Sequence, residues 1–178
     1  MRIGVDLDGV MLEFTSRFEF LYEQWFGFPL AGEIVEWDDV LTKSHFKGHS
    51  ELFEWFDRAD GWDDMVPVYG AYGGIDVLTA DGHSVVFITA RQGVGAKAAV
   101  RWLNASAWDW PTDIVTNMHN KGSVPCSVYI DDSPHVLKDL KAAGKQTIIF
   151  DRPWNRTSRA GKRAKDWNEV LKLLADMD

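Results

Sequence analysis

The chain has 178 residues, 46% of them hydrophobic and 26% charged, and a formal net charge of −8, which is the make-up of one ordinary globular domain able to bury its own core. No run approaches the roughly 18 apolar residues of a membrane span, and no basic-then-apolar leader precedes the first strand. The expectation is an untargeted cytoplasmic protein without membrane contact. The lone cysteine, Cys126, excludes an intramolecular disulfide and reads as a structural thiol. Thirteen acids face four bases within residues 13–64, which argues against a long nucleic acid as partner, because polyanion binding rests on clustered cations.

Taken in order, apolar runs and punctuation alternate between strand and helix, the pattern of a parallel α/β sheet. Ile3–Asp6 reads as the first strand. A helix follows with Ser16 and Glu19 as its capping box, Phe18, Leu21, Tyr22 and Trp25 at helical spacing, and Gly27 as its stop. Residues 28–49 read as irregular, and a further helix starts at Ser50 and stops near Gly61. The expected helices beyond are 71–81, about 96–105, about 134–143 and about 167–176. They separate strands at Ser84–Thr89, Asp113–Thr116, Ser127–Asp131 and Gln146–Phe150. Ser133 before Pro134, Gly82, Gly144 and the Asp166/Glu169 box supply the punctuation. The six bases between Arg152 and Lys165 read as a solvated loop.

The expectation for the whole is a three-layer α/β/α sandwich on a five-stranded parallel sheet with the first strand in the middle. Residues 1–14 and 65–178 form the core, and residues 15–64 form an inserted helical cap.

Chemistry-bearing residues recur where strands end. Asp6-Leu7-Asp8-Gly9 closes the first strand, Thr89 the second, Lys121 follows the third, and Asp131-Asp132 closes the fourth. In an open α/β sheet those carboxyl ends are where ligands bind. A carboxylate cannot approach a phosphate dianion unaided. Asp6, a carbonyl near Asp8 and the Asp131-Asp132 pair offer the hard oxygen ligands that Mg²⁺ takes, and Lys121 adds a permanent charge. Thr89 and its neighbouring backbone N–H groups can hold phosphate oxygens while Asp6 attacks phosphorus in line, and Asp8 can protonate the leaving oxygen.

Asp6-Leu7-Asp8-Gly9-Val10, Ile88-Thr89-Ala90-Arg91, Lys121 and Ile130-Asp131-Asp132 resemble, in order, the four motifs of the haloacid dehalogenase (HAD) superfamily of phosphatases. Pro67-Val68-Tyr69-Gly70-Ala71 and Phe150-Asp151-Arg152-Pro153-Trp154-Asn155 are similar to segments of the 5′(3′)-deoxyribonucleotidase family within it. The resemblance implies a nucleophile and metal ligand at Asp6, an acid/base and carbonyl ligand at Asp8, phosphate contacts at Thr89 and Lys121, and Ala90 and Arg91 among the substrate-binding residues. It further implies metal contacts at Asp131 and Asp132, base stacking on Phe14 and Trp37, Mg²⁺ as cofactor, and a nucleoside monophosphate as substrate. Two other readings stand beside it: a phosphatase of a sugar phosphate or other small metabolite, and a catalytically silent module that keeps the fold. Monomer and homodimer are both open. His45 and His49 are four apart but lack a third zinc ligand, so they read as exposed residues of the insertion.

Overall fold

The computed structural model describes residues 1–105, 110 and 112–177. Its elements run β1 (Arg2–Val5), α1 (Phe14–Phe26), α2 (Asp39–Thr42), α3 (His49–Arg58), α4 (Ala71–Ala80), β2 (Ser84–Ile88), α5 (Gly93–Ala105) and β3 (Asp113–Val115). They continue through β4 (Val128–Asp131), α6 (Pro134–Ala142), β5 (Thr147–Phe150), β6 (Lys162–Ala164) and α7 (Trp167–Ala175), with 3₁₀ turns at Lys121–Ser123 and Pro153–Asn155. All strand pairs are parallel, in the order β3-β2-β1-β4-β5-β6. Alternate strand residues point to opposite faces. Val5, Phe87 and Ile130 pack with Ile75 of α4 and Val170 of α7. Val86, Ile88 and Tyr129 pack with Leu140 of α6 on the other face.

Six strands stand where the sequence suggests five. β6 lies inside the basic run read as a loop, and pairs with β5 in the register Ile148↔Lys162 to Phe150↔Ala164. An edge strand needs no apolar run. Lys and Arg on an edge keep it from pairing further, and only Ala164 of the three is buried.

The first insertion helix also differs from expectation. It starts at Phe14, with Glu13 at the N-cap and no side-chain cap bond, so Ser16 lies inside the helix. The chain enters it directly from the turn after β1, and Glu13 N–H bonds to Val66 O. Within residues 28–49, α2 forms because the Asp39 carboxylate accepts the N–H groups of Val35 and Glu36, both at 2.8 Å, and pairs with Lys43 one turn on. Gly27 closes α1 in the left-handed region at φ 78°. The apolar residues of the insertion, Phe18, Trp55 and Phe56 among them, join the same cluster as the β1 side chains. No helix among the described residues is long and apolar enough to cross a membrane.

Candidate active site

The turn after β1 is built around Leu7, whose carbonyl accepts the N–H groups of Met11 and Leu12, both at 2.9 Å. Gly9 makes it possible. Its φ is +79°, and a Cβ there would overlap the Asp132 carboxylate. Asp6 is fixed by its own N–H to Ile130 O at 3.0 Å, a bond that continues the β1–β4 ladder past the last strand residue. Adjacent strands therefore bring Asp6 and the Asp131-Asp132 pair together, though about 125 residues separate them in sequence.

Lys121 sits between the carboxylates, its Nζ 2.7 Å from Asp6 Oδ1 and 2.8 Å from Asp131 Oδ2. Asp6 Oδ1 also accepts Leu7 N–H at 2.7 Å, and no protein donor reaches Oδ2 among the described residues. Asp131 spends both oxygens on the protein, since Oδ1 accepts Ser133 N–H at 2.9 Å. Asp132 Oδ2 accepts the Trp154 indole N–H at 3.0 Å, which leaves Oδ1. Asp6, Asp131 and Asp132 each offer one carboxylate oxygen, all within 4.8 Å of one another. Among the described residues this is the one group of three or more potential ligands, and neither His45 nor His49 belongs to it.

All four groups are buried. Burial is the main force pushing Asp6 up to about 7; Lys121 opposes it, and Asp131 and Asp8 add to it. Burial, reinforced by Asp6 and Asp131, likewise lifts Asp132 well above the usual carboxylate range. For Lys121 burial works against the charge, but Asp131 and Asp6 outweigh it and hold the ammonium above its ordinary value. Three carboxylates and one ammonium form an anion-rich pocket that a small hard cation would relieve.

Asp6, Asp8, Thr89, Lys121 and Asp132 open onto a cavity of about 690 Å³. Thr89 is held at the end of β2 by its N–H to Val115 O at 2.9 Å, and its Oγ1 accepts Arg91 N–H at 3.2 Å. Ala90 and Arg91 also line the cavity. The Arg91 guanidinium is forked onto Asp8, Nε to Oδ2 at 2.8 Å and Nη2 to Oδ1 at 2.5 Å, and lies 4.8 Å over the Trp62 ring.

Phe14 and Trp37 are both in the wall, with ring centroids 6.0 Å apart; Phe14 also packs on Phe56 and Trp62. Two further aromatics, Phe53 and Trp62, stack at 5.8 Å and 19° in the same wall. Sequence reasoning gave them no site role. The signal was available, since Ser50, Phe53, Glu54 and Asp57 recur at i, i+3, i+4 and i+7 along α3 and all face the cavity.

The sequence profile of the family described as 5′ nucleotidase, deoxy (pyrimidine), cytosolic type C protein matches residues 1–177. The chain belongs to this family. It is a phosphomonoester hydrolase of the 5′-nucleotidase type on a HAD fold. A Chlorobaculum tepidum protein provisionally named 5′(3′)-deoxyribonucleotidase is 26% identical over 97% of this chain and 89% of its own length. A Clostridium acetobutylicum 5′(3′)-deoxyribonucleotidase is 21% identical over 98% and 95%. Among solved structures, the Bacillus subtilis HAD hydrolase YfnB, bound to magnesium, superposes with a TM-score of 0.64 at 14% identity, covering 98% of each chain.

Proposed function

We propose that the chain hydrolyses deoxyribonucleoside monophosphates with Mg²⁺, through a phosphoryl group carried transiently on Asp6. The observation that carries this reading is the meeting of Asp6, Lys121, Asp131 and Asp132 at one end of a cavity whose other wall is aromatic. A phosphate fits the charged end and a flat base fits the rings. The names of the two curated relatives support the same substrate class.

The donor set suits a divalent, oxygen-seeking ion: three buried carboxylates against one ammonium leave an excess of negative charge. Asp6 and Asp132 would hold it directly, with the Asp8 carbonyl. Asp131, whose oxygens serve Lys121 and Ser133, would set the charge and the position of Lys121. When bound, such an ion neutralises phosphate oxygens and lets an anion approach an anion.

The residues then divide the work. Thr89, the N–H groups beside it and Lys121 hold the phosphate. An Asp6 oxygen attacks phosphorus in line while the bond to the leaving oxygen breaks, and Asp8, after turning one oxygen away from Arg91, delivers a proton to that oxygen. Asp8 afterwards takes a proton from the water that hydrolyses the aspartyl phosphate. Residues 15–64 act as a cap that shields the site from bulk water.

A panel of phosphomonoesters assayed for Mg²⁺-dependent phosphate release tests the reading. Deoxyribonucleoside monophosphates should exceed sugar phosphates in kcat/KM, and the opposite order would overturn it. Asp6→Asn should abolish turnover, whereas Asp8→Asn should keep slow transfer from a good leaving group.

A further inference from the structure

We infer that Trp154 is a positioning residue for the metal site: its indole N–H fixes Asp132 so that Oδ1 alone is presented to the cation. This rests on the metal-dependent reading above, and it concerns a residue outside the charged set. Trp154 is 6% exposed and sits in the 3₁₀ turn after β5, twenty-two positions from Asp132. Its Nε1 donates to Asp132 Oδ2 at 3.0 Å, and both groups are buried. An indole N–H is a donor only, so it leaves the carboxylate's acceptor role intact and ties up one of its two oxygens.

The turn that carries Trp154 is itself locked. Asn155, 1% exposed, donates to Asp132 O at 2.8 Å and to Phe150 O at 2.7 Å. Its own Oδ1 accepts Arg152 N–H at 3.2 Å and Arg163 Nη1 at 2.8 Å, which ties the turn to edge strand β6. The indole also packs against Trp37, with ring centroids 5.8 Å apart at 65°. Gly9 lies against the same carboxylate, so close that a Cβ at position 9 would overlap it. Asp132 is therefore held at its backbone by Asn155, at Oδ2 by Trp154, and against Gly9. A buried carboxylate with this much support has one rotamer and one free oxygen, and partners of this kind typically change metal affinity by 10–100-fold when lost.

Trp154→Phe removes the N–H and keeps a ring for Trp37 to pack on. Calorimetric titration of Mg²⁺ alone into the full-length protein should show binding weakened roughly tenfold, with the Mg²⁺ concentration for half-maximal phosphatase activity raised by the same factor. kcat at saturating Mg²⁺ should stay within about twofold. Unchanged Mg²⁺ affinity, or a fall in kcat that saturating Mg²⁺ does not restore, would overturn the inference. Should the variant not fold, the ¹⁵N-labelled wild type keeps the question open to decision. The Trp154 indole resonance should shift along the Mg²⁺ titration with the same dissociation constant as the calorimetry, and an unresponsive indole would overturn the inference. Wild-type protein that binds no Mg²⁺ at all would instead remove the metal-dependent reading on which it rests.

Discussion

Asp6→Asn should make the metal-free protein more stable while abolishing its turnover. The Asp6 carboxyl is buried beside Asp131 and Asp132, and is pushed up to about 7 despite Lys121 at 2.7 Å. Its value in the folded state thus lies above that of the unfolded chain, about 4. The sign follows from linkage: the contribution of such a group is fully present below pH about 4 and is lost as pH rises through about 7. At ~1.4 kcal/mol per tenfold, the loss at pH 8 is on the order of 4 kcal/mol. Asparagine has no charge to desolvate, and its side-chain oxygen can still accept from Leu7 N–H and Lys121. With ~2–4 °C per kcal/mol for a chain of this size, the variant should melt roughly 8–16 °C above wild type at pH 8 in EDTA. The gap should shrink toward zero near pH 4 and narrow again at pH 8 when Mg²⁺ is added, because the wild type alone gains full binding energy. Thermal melts at the two pH values, with EDTA and with Mg²⁺, read all of this. A variant that melts at or below wild type at pH 8 in EDTA would show that the charge on Asp6 is not the cost described here.

Gly9→Ala would place an L residue at φ +79° and drive its Cβ into Asp132. The backbone strain costs about 1–2 kcal/mol, and the displaced carboxylate should weaken Mg²⁺ activation at least tenfold, as an activation curve would show. Arg91→Leu removes the fork on Asp8 from a guanidinium that is almost fully buried; bonds to a charged partner of this kind are worth ~1.5–3 kcal/mol, read as a lower melting temperature. Competitive inhibition by inorganic phosphate should stay within about threefold of wild type, and a larger change would assign the Arg91 guanidinium to the phosphate as well as to Asp8. Phe53→Ala opens the aromatic wall. At ~1–3 kcal/mol per stacked base, KM for a nucleoside monophosphate should rise roughly 5–150-fold, while KM for a small aliphatic phosphate should not move.

Much of the scaffold was legible because each central strand is an apolar run that ends in a polar residue, and that polar residue is where the site forms. β1, β2 and β4 deliver Asp6, Thr89 and Asp131 in this way. Edge strand β6 was hidden by the same logic: its Lys-Arg-Ala sequence has no apolar alternation, and only pairing with β5 makes it a strand. Ser16 and Glu19 had the right spacing for a cap, but the chain had already turned into the helix two residues earlier. The link from Trp154 to Asp132 and the fork from Arg91 to Asp8 span 22 and 83 positions. No local pattern encodes either, since each exists only once the strands are laid side by side. The stacked pair Phe53 and Trp62 was visible as aromatic content, but which aromatics face the cavity depends on how α3 is rotated over the site.

The place of β1 in the sheet has a bearing on how the chain matures. Its two neighbours, β2 and β4, are translated some 80 and 125 residues after it, so a ribosome has made most of the protein before this strand can be flanked on both sides. Until then an apolar ribbon with an open edge waits for its partner, a state that invites sticking to other chains. Asp6 meanwhile has neither Lys121 nor the later aspartates near it. The cluster of Asp6, Lys121, Asp131 and Asp132 therefore forms late in synthesis, when residues 121–155 dock, and a growing chain cannot assemble it before β1 is flanked on both sides.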